Sequence, residues 1–145
     1  MYIYSAKVWR DEEGMWCADF PAFDGNCVTD AESYKGVVEA GAETLRLVIA
    51  SYISGGMELP EEQDLLGDVW IAVDVDDDFV LRTGCCTVKE AAEQLEVSHS
   101  RVCALIREKK LETVPYGNGR LVTLKSISEY RRSPRKAGRP RRADR

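Results

Sequence analysis

The amino-acid sequence predicts an α+β protein built from two small domains and a basic C-terminal tail. The hydrophobic pattern predicts a β-β-β-α-β domain in residues 1–84, a domain of short helices with a hairpin in residues 85–131, and a tail in residues 132–145. Residues 1–84 hold five Lys and Arg against 18 Asp and Glu, a net charge of −13, whereas residues 85–145 hold 15 against seven, a net charge of +8. This asymmetry predicts two domains with different partners.

The first domain begins with a predicted β-hairpin. Aromatic and aliphatic residues alternate with polar ones over residues 2–10 and 15–20, and a polar turn at residues 11–14 joins the two stretches. Pro21 ends the second strand because proline offers no backbone N–H to a sheet. A short third strand is expected at residues 26–29.

A long amphipathic helix and a fourth strand complete the first domain. The helix is expected to begin between Thr29 and Ser33, to end at about Ser54, and to carry Gly41 inside its apolar face, where a missing side chain lets helix and sheet approach closely. Alternation over Val69 to Val75 predicts the last strand. The apolar face of the helix comprises Val37, Val38, Gly41, Leu45, Val48, Ile49 and Tyr52.

The segment between the hairpin and the helix carries a family resemblance. Residues 20–29 read Phe-Pro-Ala-Phe-Asp-Gly-Asn-Cys-Val-Thr, similar to the Phe-Pro-x-x-x-Gly-Cys-x-Thr stretch of the HicB-type antitoxins, which have the same β-β-β-α-β order. The resemblance covers about residues 2–80. It implies a partial RNase H-like fold that is not catalytic and that neutralises a small basic RNase toxin of the HicA type. The carboxylates expected to bind the toxin are Asp19, Asp24, Asp74 and Asp76.

Two short capped helices begin the second domain. Thr87 and Glu90 have the spacing of a capping box, and Ser98 is placed to cap a second helix over residues 99–110. Two such helices joined by a turn of three or four residues are typical of a helix-turn-helix.

A hairpin and a last helix are expected after this pair. Residues 112–116 and 121–124 predict two strands around the turn Gly117-Asn118-Gly119-Arg120. A second capping-box pattern, Ser126 to Glu129, predicts a final helix that runs through Tyr130.

Residues 86–131 resemble the winged helix-turn-helix domains of the excisionase and MerR-like family. The resemblance is carried by Thr-Val-Lys-Glu-Ala-Ala at 87–92, Val-Ser at 97–98, residues 102–111 and Gly119-Arg120, and it implies that the second helix binds operator DNA. At 100° per residue, Val102, Leu105 and Ile106 share the buried face of that helix. The expected DNA-binding residues on the opposite face, its flanks and the hairpin are Ser100, Arg101, Ala104, Arg107, Lys110 and Arg120.

The C-terminal tail is predicted to be a disordered basic arm. Residues 131–145 hold eight Lys and Arg and one Asp, with proline and glycine between them. Gly138-Arg139-Pro140 resembles the core of an AT-hook, so Arg139 is a candidate for the minor groove of DNA. An arm that only binds phosphates and a tail that only solubilises the chain are the alternatives.

Several function classes find no support in the sequence. Five cysteines without C-x-x-C spacing predict reduced thiols rather than a zinc site. The absence of a signal-peptide pattern and of an apolar run of ~20 residues predicts a cytoplasmic protein that does not enter a membrane. The acidic run Asp74 to Asp78 fails as a calcium loop, because Phe79 stands where Gly is required and Cys85 where Glu is required. We expect no cofactor and no catalytic residue.

Three hypotheses about function follow. The first is an antitoxin that forms a homo-oligomer, binds a HicA-type toxin and represses its own operon. The second is an excisionase-like or transcriptional regulator of a phage or plasmid, whose N-terminal domain only dimerises. The third is a metal-dependent nuclease that joins the acidic run to Asp19, Asp24 or Asp68.

Overall fold

The computed structural model describes residues 1–61 and 67–133. The chain divides into two compact units, Met1–Gly84 and Cys85–Arg145. Each unit combines helices with a β-sheet, which confirms the α+β class. Within the described ranges, no helix is long and apolar enough to cross a membrane.

The first unit is a four-stranded antiparallel sheet with one long helix against it. The elements are β1 (Tyr2–Arg10), β2 (Trp16–Asp19), β3 (Val28–Ala31), α1 (Tyr34–Ser54), β4 (Val69–Val73) and α2 (Asp77–Gly84). The strand order is β3-β2-β1-β4, so β3 and β4 lie at the two edges of the sheet. A short 3-10 turn at Pro21–Phe23 joins β2 to the loop before β3.

Helix α1 packs closely on the sheet at Gly41. A Cβ atom at this position would lie 3.3 Å from Ile71 Cδ1 and 3.6 Å from Phe20 Cζ, so a larger side chain would push the helix away from the sheet. Ser33 begins the helix by accepting a hydrogen bond from the backbone N–H of Gly36. The core between the helix and the sheet comprises Tyr4, Ala6, Phe20, Phe23, Cys27, Leu45, Ile49, Ile71 and Val73.

Three expectations for the first unit are corrected. The third strand is β3 at Val28–Ala31, because Asn26 and Cys27 belong to the loop: the Phe20 N–H donates to the Cys27 carbonyl. The last strand ends at Val73 rather than Val75. Helix α2, which the sequence reasoning missed, follows directly, and the Asp76 carboxylate accepts a hydrogen bond from the Phe79 N–H at its start.

The second unit packs three helices with a three-stranded sheet. The elements are β5 (Cys85–Cys86), α3 (Val88–Leu95), α4 (His99–Arg107), β6 (Thr113–Tyr116), β7 (Gly119–Thr123) and α5 (Leu124–Arg132). The strand order is β5-β7-β6, and β7 is antiparallel to both neighbours. The core of this unit includes Val102 and Leu105 of α4, with Val122 of β7 and Ile127 of α5.

Two helix boundaries in the second unit differ from expectation. Helix α4 ends at Arg107 rather than near Lys110, because Lys109 adopts a left-handed conformation with φ of 58°. Helix α5 begins at Leu124 rather than at Ser126, since Thr123 caps it by accepting a hydrogen bond from the Ser126 N–H.

Candidate nucleic-acid interface

Helices α3 and α4 are fixed at their ends by local hydrogen bonds. Thr87 and Glu90 form the predicted capping box, in which Thr87 Oγ1 accepts from the Glu90 N–H and Glu90 Oε2 accepts from the Thr87 N–H at 2.7 Å. The chain leaves α3 through Glu96, whose φ is 54°, and Ser98 then caps α4. The two helices are therefore separated by only three residues.

The exposed face of α4 carries most of the predicted DNA-binding residues. Val102 and Leu105 are fully buried, which fixes the rotation of the helix about its axis. Ser100, Arg101 and Arg107 are exposed, whereas Ala104 is half-buried between them. Polar and cationic side chains thus lie on one exposed surface of a short helix.

The C-terminal end of α4 holds a cluster of charges around Glu108. Lys110 Nζ lies 2.7 Å from Glu108 Oε2, and Arg101 Nη1 lies 3.7 Å from Glu108 Oε1. The hydrogen bond and charge of Lys110, with smaller effects of Arg101 and Arg107, hold the pKa of Glu108 below its ordinary value. Arg101 and Lys110 therefore share one carboxylate, whereas Arg107 has no ion pair among the described residues.

The hairpin of β6 and β7 presents a further cation. Gly117 and Asn118 form the two-residue turn of the hairpin. Gly117 has a φ of 56°, and a positive φ is what a type II′ turn requires at its first central residue. Arg120 is exposed and lies opposite Pro115 in the ladder. Tyr116, also in the hairpin, is 40% exposed.

Two features of this surface escaped the sequence reasoning. Glu108 neutralises part of the charge of α4, and its spacing of seven residues from Arg101 is a helical signal that could have revealed this. Tyr116 supplies an exposed aromatic ring in the same hairpin as Arg120, and its place beside a Gly-Asn turn was a usable signal. Arg139 and the motif around it lie outside the described residues.

The single histidine contacts a thiol on α4. His99 Nδ1 lies 3.7 Å from Cys103 Sγ, one helical turn away. All five cysteines are free, and burial together with the nearby Asp19 raises the pKa of Cys27 to about 12. The Cys27 thiol is therefore neutral at neutral pH and packs as a small apolar group.

The four carboxylates expected at a toxin contact lie in different local settings. Asp19 is in β2, and its Oδ1 is buried without a hydrogen-bond partner among the described residues. Asp24 is exposed with φ of 49°, directly after the 3-10 turn. Asp74 pairs with the amino group of Met1 at 3.3 Å, and Asp76 caps α2. Two of the four therefore also have structural roles.

No carboxylate cluster of the kind a two-metal nuclease needs is gathered in the described ranges. Within residues 1–61 and 67–133, no group of three or more His, Cys, Asp or Glu side chains is placed to hold a metal ion. Asp78 instead pairs with Arg82, one turn along α2, at 3.0 Å.

Comparison with known proteins yields no significant match. No protein-family model matches the chain, and neither a curated protein nor a solved structure is significantly similar to it.

Proposed function

We propose that the chain is a DNA-binding antitoxin that represses its own operon and neutralises a small basic RNase toxin. The observation that carries the DNA-binding part is the exposed face of α4, with Ser100, Arg101 and Arg107 on a helix whose other face is buried. Arginine can pair bidentately with guanine, and serine can pair with several bases. The net charge of +8 in residues 85–145 attracts the phosphate backbone.

The elements around α4 support a winged helix-turn-helix arrangement of the excisionase and MerR-like type. A three-residue turn separates α3 from α4, and the β6–β7 hairpin follows with Arg120 near its tip. In this proposal α4 enters the major groove, and the hairpin contacts the adjacent backbone as a wing. Lys89, exposed in the first turn of α3, is a further phosphate contact.

The antitoxin part is supported by the first unit. Its strands and long helix follow the β-β-β-α-β order that the HicB resemblance implies, with α2 added at the end. The net charge of −13 complements a protein surface that evolved to hold RNA, and opposite charges accelerate association. Of the four carboxylates expected at a toxin contact, Asp19 and Asp24 are the two that neither cap α2 nor pair with a cation among the described residues.

DNA binding is tested with the full chain and the DNA upstream of its own reading frame. Binding is expected to exceed that of random DNA and to weaken steeply with salt. Arg107→Ala should reduce the preference, whereas Lys35→Ala, which removes an exposed cation from α1 of the first unit, should not. Equal affinity for upstream and random DNA would contradict a repressor.

Toxin neutralisation is tested by co-expression with the small protein encoded beside this chain. That protein should stop growth and degrade RNA, and the full chain should restore growth even when Arg107→Ala has weakened DNA binding. A harmless neighbour, or rescue that requires DNA binding, would contradict the antitoxin. The alternative is then an excisionase-like or transcriptional regulator of a phage or plasmid, whose first unit only dimerises.

A further inference from the structure

The only histidine of the chain and one of its cysteines are in contact on α4. His99 Nδ1 lies 3.7 Å from Cys103 Sγ. The two residues are four positions apart, so their side chains lie one above the other on the same side of the helix. His99 is exposed and Cys103 is half-buried, so solvent reaches the pair. The chain therefore presents an imidazole and a thiol together at the surface of α4.

The backbone that carries this pair is held in place. Ser98 accepts a hydrogen bond from the backbone N–H of Arg101 and so fixes the first turn of the helix, in which His99 lies. Val102 and Leu105 are fully buried, so α4 cannot turn about its axis. The imidazole and the thiol are therefore brought together before any ligand binds, which lowers the entropic cost of binding one.

The distance between the two atoms matches the distance between two ligands of a tetrahedral metal ion. Zn²⁺ binds a histidine nitrogen at about 2.1 Å and a cysteine sulfur at about 2.3 Å, so a tetrahedral angle of about 109° places the nitrogen and the sulfur ~3.6 Å apart. The observed distance of 3.7 Å requires almost no movement of either side chain. Imidazole and thiolate are also ligands that Zn²⁺ and softer ions prefer.

We propose that His99 Nδ1 and Cys103 Sγ together bind a Zn²⁺ ion. On binding, the thiol releases its proton to solvent, and the nitrogen and the sulfur each donate an electron pair to the ion. Among the residues that the structure describes, no third His, Cys, Asp or Glu is placed to join them, so water or a small external ligand fills the other positions. The site is thus open, unlike the closed sites with four protein ligands for which Cys-x-x-Cys spacing is typical.

The other four cysteines are less suited to bind the ion. Burial raises the pKa of each of them, so the thiolate that a metal ion needs is scarcer there. Cys17 also contacts a carboxylate instead of an imidazole, since its Sγ lies 3.9 Å from Asp11 Oδ2. Cys17 is half-buried like Cys103, which makes it a matched control in the other unit. The four cysteines with a raised pKa are Cys17, Cys27, Cys85 and Cys86.

One consequence of the metal site rests on the proposed function. Arg107 lies one helical turn beyond Cys103, and Zn²⁺ bound to a thiolate adds one net positive charge to a neutral pair. The zinc-loaded chain should therefore bind DNA more tightly, with a salt dependence steeper by about one phosphate contact. Cys103→Ser should remove this effect of zinc. Because the metal site itself is measured without DNA, zinc binding that leaves DNA affinity unchanged would contradict the placing of α4 on DNA and not the site.

Titration of the reduced full chain with Co²⁺ tests the site, because a bond between cobalt and a thiolate gives a charge-transfer absorption band. One ion per chain should produce the band, and Zn²⁺ should remove it by displacing Co²⁺. Cys103→Ser should abolish the band, whereas Cys17→Ser should leave it unchanged. The exchange of His99→Arg with Arg101→His keeps the composition but places the imidazole two residues from the thiol, where the side chains do not face each other. It should raise the Kd for the ion at least ~10-fold, because the second ligand no longer binds at high effective concentration.

Three results would overturn the proposal. The first is the absence of a charge-transfer band at an excess of Co²⁺, and the second is a band that survives Cys103→Ser. The third is an unchanged Kd in the exchange variant, which would show that the thiol binds the ion without the imidazole. Circular dichroism shows whether each variant keeps its helices. If Cys103→Ser unfolds, the exchange variant gives the answer, since it retains the cysteine and changes only exposed positions.

Discussion

Replacing Glu108 by glutamine is expected to tighten DNA binding. The carboxylate lies 2.7 Å from Lys110 Nζ and 3.7 Å from Arg101 Nη1, so it competes with phosphate for both cations. Its pKa is held below the ordinary value of 4.5, which means that it is charged at neutral pH. Glutamine keeps the size and one acceptor oxygen, and it replaces the other oxygen by an uncharged NH2 group.

The magnitude follows from Coulomb's law. A phosphate ~10 Å from the carboxylate is repelled by ~0.4 kcal/mol in water, and three such phosphates by ~1.2 kcal/mol. Screening over a Debye length of ~30 Å at 0.01 M salt leaves ~0.9 kcal/mol, and ~8 Å at 0.15 M leaves ~0.4 kcal/mol. Glu108→Gln should therefore tighten binding by about fourfold at the lower salt and about twofold at the higher.

Fluorescence anisotropy of labelled DNA with the full chain measures this difference. The control is Glu129→Gln, which makes the same change of charge at an exposed position of α5. If the two variants changed the affinity for DNA equally, the end of α4 would not lie at the DNA surface. Weaker binding by Glu108→Gln would refute the reasoning in another way, because the carboxylate would then be holding Arg101 and Lys110 in the geometry that DNA requires.

Three further predictions concern single residues of the second unit. Arg107→Ala should reduce discrimination between operator and random DNA by ~1–3 kcal/mol in competition titrations, and equal losses on both would assign it to phosphate. Glu96→Gly should raise the free energy of unfolding in urea by ~0.5–1 kcal/mol, because a left-handed φ costs a non-glycine residue ~1–2 kcal/mol and glycine carries its own entropic cost. The control is Glu93→Gly, inside α3, which should lower the free energy of unfolding by ~1 kcal/mol. A lower free energy of unfolding in both variants would contradict the prediction for Glu96. Hydrogen bonds from Thr87 hold the pKa of Glu90 below 4.5, so its stabilisation is complete above pH 4.5 and is lost as the pH falls through the lower folded pKa. The Tm advantage over Glu90→Gln should therefore be constant above pH 4.5 and should shrink progressively as the pH is lowered below it.

The parts of the fold that depend on neighbours in sequence could be predicted. The caps at Thr87 and Ser98 form within one helical turn, so residue type and spacing were sufficient. Gly41 was predictable for a related reason, since a glycine within an apolar stripe indicates close contact. The limits of these helices at their N-termini agree with expectation.

The parts that depend on distant contacts could not be predicted. β5 is a strand only because Cys85 and Cys86 pair with Thr123 and Val122 of β7. That pairing holds β7 in place as far as Thr123, so α5 begins there and not at the capping pattern further on. Helix α2 could have been predicted, because Asp76 followed by an acidic first turn is a local signal for the start of a helix. It was missed because this signal lies within the acidic run Asp74 to Asp78.

The exposed face of α4, which we propose to bind DNA, could be predicted in part for the same physical reason. Burial of Val102 and Leu105 fixes the rotation of α4, and periodicity revealed that face. The spacing of Arg101 and Glu108 was a usable helical signal, but the contact of Lys110 with the same carboxylate depends on the left-handed Lys109, which turns the chain back at the end of the helix. The number of cations on a helix therefore overstates the charge available to DNA.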